Sequence, residues 1–380
     1  KMIQIKLMSK ALMKLLVLDR VGFRVVRRAF SMSPSSTAVV YDKEGPADTA
    51  IRVVEMPPVK IKEYDVCVRM LCAPINPSDI NRIEGVYPIR PPVPAVGGYE
   101  GVGEVHSVGT AVKNLTIGDR VIPSPPSFGT WQSYIVKEQT MWHKINQNIP
   151  TQYAATITVN PLTALRMLED FVTLNQGNLL LIFKLINLLN TVSGDSVVQN
   201  GATSVVGQCV IQLARAKGLR SINIVRDRPG IDEAVRKLKE VGADEVFKES
   251  EVNVKGILGN LQEPSLGLNC VGGSSASLVM KFLREGGTMV TYGGMSKKPL
   301  TVSTSSFIFK DVRLRGFWLQ KCLSSDKVKD TKKMIDQLLC LVEEGRLRYE
   351  MDVLPFDDFH VALNKAMGKQ GSQNKQVIQF

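Results

Sequence analysis

The sequence predicts an α/β chain of two modules, a β-rich one followed by a doubly wound parallel sheet. Three observations carry this. Short apolar runs between Ala38 and Ile122 are cut by Gly and Pro, as strands and turns are. From Pro161 onward, strand-like and helix-like stretches alternate, the rhythm of a parallel sheet with helices on both faces. Between the first of these strands and its helix lies a glycine-bearing turn, Asn200-Gly-Ala-Thr-Ser-Val-Val-Gly-Gln208.

In chain order, Ala38–Tyr41, Ile51–Met56 and Asp65–Leu71 read as strands, with Pro57-Pro58 and Pro91-Pro92 as punctuation. A glycine-dense strand pair, Gly97–Val108 and Gly118–Ile122, completes the β-rich module. Leu162–Phe171 reads as a helix. Strand Ser196–Gln199, helix Gly207–Lys217, strand Ser221–Val225, helix Ile231–Val241 and the segment Gly242–Val246 follow. Later strands are expected at Leu266–Val271 and Gly287–Tyr292. The tail carries an amphipathic helix, Asp330–Glu344, and ends in strand-like Gln376–Phe380, which is expected to return to the first module.

Bulk properties narrow the function. A chain of 380 residues suits two domains of ordinary size. No apolar run reaches the roughly 20 residues a membrane-spanning helix needs. The cysteines at 67, 72, 209, 270, 322 and 340 form no CxxC pair, which argues against a disulfide framework and against a cysteine zinc site. The net charge of +12 is uneven: residues 1–31 carry +7, leaving +5 for the remainder. Nucleic-acid binding is therefore not expected from the charge. Residues 1–31 are basic, hold a single acid at Asp19, and lead into a stretch rich in serine, the pattern of a mitochondrial transit peptide.

The glycine-bearing turn is suited to aim backbone N–H groups at a pyrophosphate, helped by the helix dipole. It departs from G-x-G-x-x-G, with Ser204 and Val205 in place of glycines, so an ordinary tight turn stands as the alternative. Arg226-Asp-Arg228 lies where such folds sort their cofactors. Two arginines there suit the 2′-phosphate of NADPH, since guanidinium donors match its oxygens. A solvated charge cluster is the other reading.

Together these features resemble the medium-chain dehydrogenase/reductase superfamily, and Ala95-Val-Gly-Gly-Tyr-Glu-Gly-Val-Gly-Glu-Val105 looks like its glycine-rich signature. Zinc-dependent members carry a histidine ligand where this chain has Tyr99. The earlier ligand cysteine and the four-cysteine lobe are missing, and His106, His143 and His360 do not cluster. No metal is expected. Further stretches narrow the resemblance to the mitochondrial trans-2-enoyl thioester reductases. They include Ile75-Asn-Pro-Ser-Asp79, Gly85-Val-Tyr-Pro88, Thr158-Val-Asn-Pro161, Tyr292-Gly-Gly-Met295, Arg315-Gly-Phe-Trp-Leu319 and Lys375-Gln-Val-Ile378.

The resemblance implies residues and roles. Tyr87 matches the proton donor. Asn160, the loop Thr203, Ser204, Val205, Val206 and Gly207, and the segment Arg226, Asp227 and Arg228 match cofactor-contacting stretches. So do Tyr292, Gly293, Gly294 and Met295, then Phe317, Trp318, Leu319 and Gln320, and finally Lys375. Trp318 is also expected to border the acyl pocket. Judged without the resemblance, Tyr87 and Trp318 read as packed aromatics. The implied organisation is a transit peptide over 1–31, a GroES-like catalytic domain over 32–159, a Rossmann NADPH domain over 160–321, and a return to the catalytic domain over 322–380.

The implied activity is NADPH-dependent reduction of trans-2-enoyl thioesters, on acyl carrier protein or coenzyme A, by a homodimer in the mitochondrial matrix. The expected dimer contact is an edge strand near Thr301–Arg315. The rival readings are an NADPH:quinone reductase of the same superfamily and a non-catalytic nucleotide-binding protein on the same fold. One segment departs from the family pattern. Residues 176–192 are apolar on nearly all sides and interrupt a run expected to pass from Asn175 directly to Ser193. A surface helix without a polar face is poorly solvated, so the segment reads as a retained intron or gene-model artefact rather than a partner-binding or membrane-touching helix.

Overall fold

The computed structural model describes residues 31–126, 129–175, 195–323, 328–371 and 373–380. Nearly all of the leader and the whole of the apolar insert fall outside them.

The β-rich module holds two sheets. In the smaller, β1 (Ser36–Tyr41) lies between β2 (Ile51–Met56) and β4 (Ala95–Val96), antiparallel to both. The larger is built around β3 (Asp65–Pro74), β5 (Val102–Val108), β6 (Arg120–Pro123) and β8 (Trp142–Lys144), with β7 (Tyr134–Glu138) pairing β3. Alternate residues of β3, Val66, Val68 and Met70, enter one core with Val105, Val121 and Trp142, as the two-residue period of a strand requires. Register shifts between β3 and β5 mark bulges, which bend a sheet sharply.

The parallel sheet has six strands: β9 (Ser196–Asn200), β10 (Arg220–Val225), β11 (Glu245–Lys248), β12 (Leu266–Asn269), β13 (Thr288–Thr291) and β14 (Arg313–Gly316). Their order is β11-β10-β9-β12-β13-β14. The chain winds outward from β9 on one side and from β12 on the other, so the crevice at their carboxyl ends is the expected ligand site. β9 is buried on both faces, with Val197 in one core and Val198 in another.

The tail comes back to the larger sheet. β15 (Met351–Pro355) and β16 (Lys375–Gln379) extend the larger sheet, with β16 antiparallel to β3. The amphipathic helix of the tail, Val328–Glu343, packs instead with helix Asn160–Glu169, which lies on helix Val205–Ala216. One core therefore joins both modules: Cys72, Val102 and Ile157 share it with Val197, Leu213, Ile335 and Leu338. No helix of the described residues is long and apolar enough to cross a membrane.

Candidate active site

The phosphate loop follows β9. Gly201 turns it with a φ of +62°, a conformation that other side chains adopt at a cost. The Ser204 hydroxyl accepts from the Gly207 N–H at 3.1 Å and caps the helix. At Gly207 a Cβ would sit 2.6 Å from the Ala202 backbone, so the helix start presses directly on the loop. Gln199, buried under the turn, donates to the Gly207 carbonyl at 2.9 Å and to Asn223 Oδ1 at 2.7 Å. A serine cap and a buried amide thus hold a loop that other dinucleotide sites build with more glycine.

Thr203, Ser204 and Val205 open onto a cleft of about 890 Å³, ample for a dinucleotide, which Arg226, Arg228 and Lys375 also line. Asp227 is turned away. Its carboxylate accepts from the Ser250 hydroxyl at 2.6 Å and the Ser250 N–H at 3.0 Å, and these bonds hold it below the usual carboxylate range. It tethers the segment to the end of β11, while the guanidiniums of Arg226 and Arg228 have no hydrogen-bond or ion-pair partner among the described residues. The nearby acids are engaged with other cations: Glu233 and Glu240 share Arg236, and Glu350 pairs with Lys237. The wall therefore presents unpaired cations, which fits the 2′-phosphate of NADPH.

Tyr87 follows the short helix Pro77–Ile83. Asn76 and Asp79 cap that helix reciprocally, and Pro77 opens it. The Asn81 carbonyl then accepts from both the Val86 and Tyr87 N–H groups, fixing the loop. Trp318, from the segment after β14, donates its indole N–H to the Tyr87 hydroxyl at 2.8 Å, with the rings edge-on at 6.1 Å. Arg82 lies over Tyr87 at 4.5 Å and over Tyr99 at 4.1 Å. It also donates to Asp79 at 3.3 Å and to Gln320 at 3.1 Å. Tyr99, at the histidine position of zinc-dependent relatives, is thus a stacking partner for a guanidinium.

Behind this face lies a buried polar cluster with Asn76 as its hub. Asn76 donates to Glu100 at 2.9 Å, and Glu100 accepts from Thr158 at 3.0 Å. Lys375 donates to the Asn76 side-chain oxygen and to the Ile75 carbonyl, the latter at 3.0 Å. Burial pushes the Glu100 carboxyl up to about 7 and also raises Asp79; it lowers the Lys375 ammonium. Lys375 thus joins the cofactor cleft to the support of the Tyr87 loop.

The other expected residues fall around these two groups. Tyr292 opens the Tyr292–Met295 turn after β13 and lies beside Ser204, its hydroxyl buried. Gly293 sits 3.0 Å from the Cys270 carbonyl, measured from the Cβ position it leaves empty, whereas Met295 is largely exposed. Phe317 is buried edge-on to Phe171, Leu319 packs against the shared core, and Asn160 starts its helix. Val206 lies in the first turn of the loop helix. The roles of Arg82, Asn76 and Glu100 are not legible in the sequence, although Asn76 and Glu100 lie within stretches that carry the family resemblance. The capping pair Asn76 and Asp79 just ahead of Arg82 is the local signal for the helix that carries it. Among the described residues, no three His, Cys, Asp or Glu side chains gather as a metal-ligand set.

Two family models match: an alcohol dehydrogenase GroES-like domain over residues 62–147 and a zinc-binding dehydrogenase over residues 205–339. The chain is 65% identical to a mitochondrial enoyl-[acyl-carrier-protein] reductase of Arabidopsis thaliana, over 94% of this chain and 95% of that one. It is similar to the structure of an Etr1p/NADP/crotonyl-CoA complex, with a TM-score of 0.80 and 31% identity over 92% of this chain and all of that one. The mitochondrial 2-enoyl thioester reductase Etr1p/Etr2p heterodimer from Candida tropicalis matches with the same score and coverage at 32% identity. By these matches, the chain belongs to the mitochondrial enoyl-[acyl-carrier-protein] reductase family of the medium-chain dehydrogenase/reductase superfamily.

Proposed function

We propose that the protein is a mitochondrial enzyme that reduces trans-2-enoyl thioesters to saturated acyl thioesters with NADPH. The observation that carries this reading is the pairing of Tyr87 with Trp318 at the junction of the two modules. Bound NADPH supplies the hydride that reduces the β-carbon. The rest falls to the chain. The Ser204-capped loop and its helix start receive the pyrophosphate, and Arg226 and Arg228 receive the 2′-phosphate. Tyr87 gives its proton to the α-carbon as negative charge develops on the thioester oxygen. Trp318 and Arg82 stabilise the phenolate left behind, one by a hydrogen bond and the other by its charge.

The acyl group is carried by acyl carrier protein or coenzyme A. The working unit is a homodimer. β14 is an edge of the parallel sheet, and the adjoining Phe307, Ile308 and Phe309 are 50%, 66% and 76% exposed, an apolar surface suited to isologous pairing. Solution mass at micromolar concentration checks the dimer. The activity is tested by following NADPH oxidation with a trans-2-enoyl-CoA and with a quinone. Turnover on the enoyl-CoA is expected; turnover on the quinone alone would return the rival reading.

A further inference from the structure

Arg348 stands on the same cleft as Arg226 and Arg228, but it comes from the tail of the chain, just before β15. Two residues earlier, Arg346 is spent on Glu344, and two residues later, Glu350 is spent on Lys237. The Arg348 guanidinium has no hydrogen-bond or ion-pair partner among the described residues. Its backbone, in contrast, is held at both polar atoms. The side-chain amide of Gln212 donates to the Arg348 carbonyl at 2.8 Å and accepts from the Arg348 N–H at 2.9 Å.

Gln212 is 6% exposed and sits on the helix that leaves the phosphate loop. Its amide also donates to the Gln208 carbonyl at 3.0 Å, and the Gln208 side chain donates to the Thr203 carbonyl at 3.0 Å. A chain of amides therefore runs from the loop to Arg348. The next residue is fixed too. Tyr153 bridges the Tyr349 N–H and carbonyl, and the Tyr349 hydroxyl pairs with Thr156 at 2.7 Å. A side chain left free on so firmly held a backbone is preorganised for a ligand, because little backbone entropy remains to be lost on binding.

We propose that Arg348 is a third arginine for the 2′-phosphate of NADPH, supplied by the tail and positioned by Gln212. Three guanidiniums without partners then face one cleft whose acids, Glu233, Glu240 and Glu350, are engaged with Arg236 and Lys237. The cofactor would thereby join the parallel sheet to the return segment. This inference rests on the reading of the cofactor as NADPH.

The test is calorimetric titration of the substrate-free protein with NADP⁺ and NAD⁺, for wild type, Arg348→Ala, Arg348→Lys, Gln212→Ala and the double variant Arg226→Ala/Arg228→Ala. Using the ratio of the two affinities cancels any general loss of folded protein. Losing a charge-assisted contact should lower the preference for NADP⁺ about tenfold in Arg348→Ala. Arg348→Lys should recover part of it, and Gln212→Ala should lower it less. If Arg348→Ala keeps the wild-type ratio while the Arg226/Arg228 variant loses it, the inference about Arg348 is wrong and the cofactor reading stands. If both keep it, both fail. A weakened KM for enoyl-CoA with an unchanged cofactor ratio would place Arg348 on the phosphates of the acyl carrier and also overturn the inference.

Discussion

The indole N–H of Trp318 donates to the Tyr87 hydroxyl at 2.8 Å. An indole nitrogen can only donate, so the phenolic hydrogen of Tyr87 must point elsewhere. In the mechanism we propose, this one bond across the junction of the two modules orients the proton that leaves and stabilises the charge that remains. Trp318→Phe keeps an aromatic ring and removes the donor. Its kcat on an enoyl-CoA should fall about tenfold, the equivalent of a hydrogen bond of about 1.4 kcal/mol. An unchanged kcat under conditions where hydride transfer limits the rate would deny Trp318 this role.

Glu100 is fully buried, and burial raises its carboxyl from an ordinary 4.5 to about 7. Between those values the folded protein holds a proton that the unfolded chain has released. Stability from this group is therefore full below pH 4.5, declines as pH rises, and is lost once pH passes 7. The span corresponds to roughly 3 kcal/mol at 1.36 kcal/mol per pKa unit. Glu100→Gln keeps the shape and most of the hydrogen bonds to Asn76 and Thr158. Urea unfolding at pH 5.5 and pH 8 should show a smaller loss of stability in the variant than in the wild type. Parallel losses would mean that Glu100 stays ionised throughout.

Asn175 and Asp195 flank the segment 176–194, which lies outside the described residues. The Asp195 N–H donates to the Asn175 carbonyl at 3.0 Å, and the Asn175 N–H donates to the Asp195 carboxylate at 2.9 Å. If residues 176–192 are removed, Asn175-Ser193-Gly194-Asp195 becomes a four-residue unit closed by the first-to-fourth hydrogen bond of a β-turn. Asn at the first position and Gly at the third suit such a turn. The deleted protein should fold with a melting temperature at least equal to that of the full chain and should retain turnover. A deletion variant that is soluble but unfolded by circular dichroism would show that the segment is needed before β9.

Much of this was legible in residues. The shift from Gly/Pro-cut strands to alternating strands and helices marked the two-module order, because period and punctuation are local properties. The return of the tail to the first sheet was visible in strand-like Gln376–Phe380. The position of Arg226 and Arg228 after β10 is also plain in the sequence, and both line the cleft. What stayed hidden depends on contacts across the chain. Arg82 reads as an ordinary helix cation until Tyr87, Tyr99 and Gln320 are brought around it. Gln212 reads as a helix-surface amide until it clasps Arg348, 136 residues away. The turn of Asp227 onto Ser250 was equally invisible, since it requires two neighbouring strand ends to meet.

The central claim is that the Tyr87 hydroxyl donates the proton at the α-carbon, and Tyr87→Phe tests it most directly. Phenylalanine keeps the ring beside Trp318 and under Arg82 while removing only the hydroxyl. Turnover on a trans-2-enoyl-CoA, measured where hydride transfer limits the rate, should fall about 10²–10⁴-fold, as the loss of a general acid does. NADP⁺ affinity, measured by titration of the same preparation, should stay within about twofold, since the loop and its arginines lie on the other module. Retention of more than about a third of wild-type turnover, against that 10²-fold minimum, would contradict the account.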